Sequence, residues 1–96
     1  MINGLNKVFD SRVRLGIMSV LTVNDSVDFN ALKEYLELSD GNLATHIKAL
    51  EKDGIIATTK SFIGRRPNTK YSITPEGKIA FDAHINALEK LIRSQQ

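Results

Sequence analysis

The sequence predicts a mainly α-helical fold with one small β-hairpin (α+β), in the order helix, helix, helix, hairpin, helix. Two observations predict it. Apolar residues recur at helical spacing in four stretches, each introduced by a residue suited to capping a helix. Between the third and fourth stretch, two β-branched segments flank a turn that contains Gly64 and Pro67.

Asp10 and Ser11 precede Val13, Ile17, Val20 and Leu21, which predicts a first helix over 11–22. Asn24, Asp25 and Ser26 form a polar break. Asp28 can then cap a short second helix whose Phe29, Leu32 and Leu36 share a face, ending near Leu38. Ser39 is the next good cap, so the turn into the third helix is very tight. Leu43, Ile47 and Leu50 mark the inner side of that helix until Gly54 supplies a left-handed stop. The run from Ile55 to Phe62 and that from Thr69 to Ile73 read as strands, joined by the basic turn Gly64-Arg65-Arg66-Pro67-Asn68. With only 6% aromatic residues, Phe62 and Tyr71 read as core or strand-packing aromatics and not as stacking platforms for bases. Thr74 as cap and Pro75 at the first helical position, where a missing N–H costs nothing, open a last helix running to about Arg93.

At 96 residues, with 42% hydrophobic and 25% charged side chains, the chain reads as one ordinary globular domain, 1–96. The absence of cysteine excludes disulfides and thiolate zinc sites. No secretory start and no apolar run of about 20 residues is present, so no membrane is expected and the cytoplasm is the simplest location. The net charge is +2, but its distribution is uneven: Lys48 to Lys70 holds six basic and two acidic residues, leaving the remainder at −2. Such a block suits a polyanionic partner.

A short helix, a tight turn and a second helix with a polar outer face can place that second helix in the major groove of DNA. Opposite Leu43, Ile47 and Leu50 lie Asn42, Thr45, Lys48, Ala49 and Lys52, with His46 at the margin, either facing DNA or flanking it. Asn can bond adenine through both amide atoms, Thr offers a hydroxyl and a methyl, and Lys reaches guanine or phosphate; small Ala49 permits close approach. Arg65 and Arg66 at the hairpin tip suit phosphates or a narrow minor groove. An enzyme would need a nucleophile with an oriented base, a metal cluster or a phosphate-cradling loop before a helix, and no such spacing occurs. Neither cofactor nor metal is expected, and His84 reads as a packing or surface residue.

The segment from Asn42 to Ile56, the basic hairpin, and Tyr71-Ser-Ile-Thr-Pro-Glu-Gly77 resemble the winged helix-turn-helix bacterial regulators of the MarR and ArsR type, most of all the short stand-alone MarR-like proteins. The likeness runs from Arg14-Leu15-Gly16-Ile17 to the terminal helix. It implies a homodimeric transcriptional regulator of double-stranded DNA, with a recognition helix over 39–53 and a wing over 62–70, and so adds Ser39, Asn68 and Lys70 to the contact set. MarR-type wings often carry an Asp two residues before the DNA-contacting Arg; Ile63-Gly64-Arg65-Arg66 has none, so either arginine fits that role. The ArsR metal sensors use cysteines or clustered histidines and carboxylates, whereas His46 and His84 are far apart in this sequence.

In the terminal helix, 75–93, Phe81, Ile85, Leu88 and Ile92 follow a heptad-like spacing, with Leu91 adding apolar surface. This predicts a two-fold dimer through that helix, helped by the first helix and the residues before it. A cleft between the paired helices has room for a small-molecule effector, although no polar constellation names one. The alternative is a protein-interaction module whose basic face serves an acidic partner; salt-dependent, sequence-preferring duplex binding separates the two.

Overall fold

In the computed structural model, which describes residues 3–95, each helix begins where its capping residue stands. A 3₁₀ turn over Lys7–Phe9 precedes α1, Arg12–Leu21, whose cap is Ser11: its Oγ accepts from the Arg14 N–H at 3.3 Å. Asp28 caps α2, Phe29–Leu36, by accepting from the Ala31 N–H at 2.8 Å. α2 stops at Glu37, which takes a left-handed φ of 54° and lets the Leu38 N–H return to the Lys33 carbonyl at 3.0 Å. Two residues later Ser39 caps α3, Asp40–Lys52. A Lys33–Asp40 ion pair of 2.8 Å spans the turn between α2 and α3, and that hydrogen-bonded carboxylate holds the Lys33 ammonium above its ordinary pKa.

The strands depart from expectation in two respects. A two-residue strand, β1 at Val27–Asp28, pairs with the hairpin, so the sheet has three strands rather than two. Of the hairpin strands, β2 at Ile56–Ile63 keeps the predicted length one residue later, whereas β3 at Arg66–Ile73 starts three residues earlier than predicted, so the two meet in a two-residue turn, Gly64-Arg65. Gly64 has a φ of 64°, as the first central residue of a tight hairpin turn requires. The order is β1-β3-β2, all antiparallel, with Phe62 opposite Pro67 and Thr58 opposite Tyr71. Pro67 is tolerated in β3 because β1 reaches only Lys70, leaving the outer edge at Pro67 without a partner strand for an N–H to serve.

One core joins these elements. Ile17, Met18 and Leu21 of α1, Leu32 of α2, and Leu43, Ile47 and Leu50 of α3 close on Ile55, Ile56 and Tyr71. Burying each such side chain is worth roughly 1.5–3 kcal/mol. Phe9 adds an edge-on contact with Phe81, ring centroids 5.2 Å apart.

Phe81 belongs to α4, Pro75–Arg93, which starts on an unusually close fit. The Thr74 hydroxyl lies 2.6 Å from the Gly54 carbonyl and 3.0 Å from that of Ile55, and its oxygen accepts from the Gly77 N–H at 2.8 Å. A Cβ on Gly77 would overlap the Ile55 carbonyl, well inside the 3.0 Å that real Cβ atoms keep. The Thr-Pro-Glu-Gly signature is thus a clasp: cap, first helical residue, and a gap through which the chain after α3 passes. Beyond it, α4 and the hairpin project from the body. The molecule measures 55 × 25 × 21 Å, with a radius of gyration of 14.6 Å against about 12.5 Å for a compact chain of this length.

Candidate nucleic-acid interface

α3 turns Leu43, Ile47 and Leu50 inward and presents Asn42, Thr45, Lys48 and Lys52 to solvent, with Ala49 half-buried beside them. Five of the predicted contact positions therefore lie on one side of one helix about 20 Å long. Their chemistry is more restricted than the residue types alone suggest. The Thr45 hydroxyl donates to the Gly41 carbonyl at 2.8 Å, so its oxygen lone pairs and methyl group are what remain for a partner. The Ser39 oxygen accepts from the Asn42 N–H at 3.2 Å, which leaves its own hydrogen to donate outward at the helix start.

His46 differs from the rest. It is half-buried, and its Nδ1 accepts from Arg14 Nε at 3.1 Å, while Arg14 Nη1 donates to the Val8 carbonyl at 3.1 Å. The histidine therefore faces α1 and fixes the seating of α3, rather than standing on the outer face with Asn42 and Thr45. Arg14 was not a sequence candidate; its helical spacing from Ser11 carries no sign that it reaches across to another helix.

The hairpin supplies the second part of the interface. Between Gly54 and Pro75 there is no acidic residue, and Lys60, Arg65, Arg66 and Lys70 are all exposed. Alternation along the strands puts Ile56, Thr58, Lys60 and Phe62 on one face with Ile73, Tyr71 and Pro67, and Arg66, Asn68 and Lys70 on the other. The Thr58 hydroxyl bonds Glu51 near the end of α3, so the first face is turned toward that helix. Asn68, opposite Ser61 and two residues behind the last pair of the hairpin, is half-buried, and its Nδ2 makes no hydrogen bond among the described residues. Phe62 corrects the sequence reading: it is 71% exposed, because the hairpin extends beyond the body before this residue is reached. Tyr71 does pack, tilted against Phe29 at 6.5 Å, and burial raises its phenol pKa.

The predicted dimer stripe divides. Phe81, 8% exposed, lies in the core of its own chain and is not an open surface. Ile85, Leu88 and Ile92 are exposed and Leu91 is half-buried. Leu88 borders a groove of about 720 Å³ with Leu5, Phe9, Leu15 and His84. His84 is buried there, its Nδ1 accepting from the Asn6 N–H at 3.0 Å.

A tight helix–turn–helix followed by a basic hairpin is the arrangement of a winged helix, and residues 13–92 match the family described as winged helix DNA-binding domain. The chain belongs to that family. An uncharacterized protein of Methanocaldococcus jannaschii is 41% identical over 88 residues, covering 92% of this chain and 96% of that one. A transcriptional regulator homologue from Pyrococcus horikoshii superposes with a TM-score of 0.84 at 33% identity, covering 95% of this chain and 90% of its own. A regulator of the MarR family from Enterococcus faecalis shares the fold, with a TM-score of 0.73 at 21% identity over 94% and 86% of the two chains. This winged helix chain is thus DNA-binding and regulatory by family and not an enzyme, and it is MarR-like in fold. Among its described residues, no helix is long and apolar enough to cross a membrane.

Proposed function

We propose that the chain is a sequence-specific, double-stranded-DNA-binding transcriptional regulator that acts in the cytoplasm as a homodimer. α3 enters the major groove, where Asn42, Thr45 and Lys48 reach base edges. Ser39, Lys52 and the wing residues Arg65, Arg66 and Lys70 hold phosphates or the adjacent minor groove. The observation that carries this reading is the outer face of α3, exposed and polar, beside a hairpin with four cations and no acid. His46 supports α3 from behind, and Ala49 leaves room for the groove wall.

The homodimer rests on the open part of α4. Ile85, Leu88 and Ile92 lie beyond the reach of the chain's own core, and Leu5 and Leu15 continue the apolar surface toward α1. Residues 75–93 then serve as the dimerisation helix, without Phe81. The groove beside Leu88 has the volume of a small-molecule site, and an effector bound there would touch Asn6, Arg12 and His84.

Replacing both Arg65 and Arg66 by Ala tests the wing. The double variant is expected to fold normally, because both side chains are exposed. It should bind every duplex more weakly and lower the slope of log affinity against log salt by roughly 1 to 2. Unchanged affinity and slope in a fluorescence titration would remove the wing from the interface.

A further inference from the structure

The apolar part of the wing tip has no use within its own chain. Phe62 is 71% exposed and Ile63 65% exposed, and every residue from Thr59 to Pro67 is exposed. Phe62 and Pro67 are directly opposed on the face turned toward α3. Ile63 sits on the other face opposite Arg66, and the turn itself carries Arg65. The tip is therefore a narrow two-stranded ribbon whose turn carries Arg65 and which bears apolar side chains on both faces just behind that turn, Phe62 and Pro67 on one and Ile63 beside Arg66 on the other, with no acid along the hairpin.

We propose that Phe62, backed by Pro67, and Ile63 form an apolar wedge that enters the minor groove, opens a base step and bends the duplex. This rests on the DNA-binding reading above and adds a mechanical function to the wing. Charge selects the occupant: four hairpin cations repel a basic surface and draw the tip toward phosphates, where Arg65 and Arg66 hold it while the apolar atoms leave water. Phe, Ile and Pro are side chains that proteins insert between base steps, and such insertions kink DNA by about 20–90°. The wedge also confers specificity without base-edge hydrogen bonds. Pyrimidine–purine steps unstack most easily, so they are preferred where the wing lands, outside the bases that α3 reads.

The test uses dye-labelled duplexes of about 30 base pairs, three helical turns, selected from a random pool by the wild-type chain, with 2-aminopurine at the wing step. Wild type is expected to shorten the end-to-end distance by a bend of tens of degrees and to brighten the 2-aminopurine as it unstacks. The Phe62→Ser, Ile63→Ser double variant keeps its thermal unfolding, since neither side chain is buried, and binds the same duplex roughly tenfold to a hundredfold more weakly without bending it. Phe62→Leu retains the bend. A wild-type complex that is bound but straight, or a double-Ser variant that bends DNA equally, overturns the wedge alone. Failure of wild type to retain any duplex at low salt overturns the DNA-binding reading and the wedge with it.

Discussion

Replacing Gly77 by Ala is expected to lower the free energy of unfolding by about 3 kcal/mol, the upper end for forcing atoms into a packed site. For a domain of this size that is a loss of roughly 10–20 °C in melting temperature. The added methyl would overlap backbone atoms of Ile55, which cannot swing aside as a flexible side chain would. α4 would have to lift, breaking the Thr74 clasp and withdrawing Phe81 from Phe9. Gly41→Ala is the matched control: a Cβ there meets nothing within 4 Å, and Ala is better than Gly in a helix by about 0.5–1 kcal/mol. Thermal denaturation of the two variants should therefore move in opposite directions. Equal stability of Gly77→Ala and wild type would show that the close approach is not a constraint.

The second large effect concerns assembly. Leu88→Glu puts a charge on an apolar surface that is 39% exposed in the single chain, so the protomer tolerates it while an apolar two-fold contact does not. The wild-type chain is expected to sediment as a dimer at tens of micromolar and to melt at a temperature that rises with concentration. The variant should be monomeric. Linking two recognition helices makes the second binding event intramolecular, so losing the dimer should weaken operator binding by about 10²–10⁴-fold. A wild-type monomer at that concentration, or a monomeric variant with undiminished operator affinity, would contradict the role given to α4.

The elements most legible in the sequence were those defined by local chemistry. Ser11, Asp28, Ser39 and Thr74 each stand where a helix starts, because a cap is a short-range bargain between one side chain and the N–H groups of the next turn. The inner and outer faces of α3 follow from spacing alone. What escaped was set by distant partners. β1 has two residues and thus no periodicity, and it exists because Tyr71 and Lys70 lie beside it. Glu37 adopts a left-handed conformation that a sequence reading reserves for Gly or Asn. His46 stands between outward Thr45 and inward Ile47, so spacing leaves it at the margin, and only the approach of Arg14 shows that it faces α1. Phe62 and Phe81 exchanged their expected roles for the same reason. Both are apolar in apolar patterns, but Phe62 lies past the edge of the body and Phe81 meets Phe9 beneath α4.

The most direct test of the account is a binding selection from random duplexes with wild type and with Asn42→Ala, Thr45→Ala and Lys48→Ala. Wild type should select an imperfect palindrome whose half-site centres lie roughly 10 base pairs, or a multiple of that, apart. Asn42→Ala and Thr45→Ala should each cost about 1–3 kcal/mol on that site and relax one symmetric pair of positions. Lys48→Ala should relax a guanine, or else weaken all sequences alike if it holds a phosphate. An identical base preference in all three variants, each folded and dimeric, would contradict the claim that this face of α3 reads DNA.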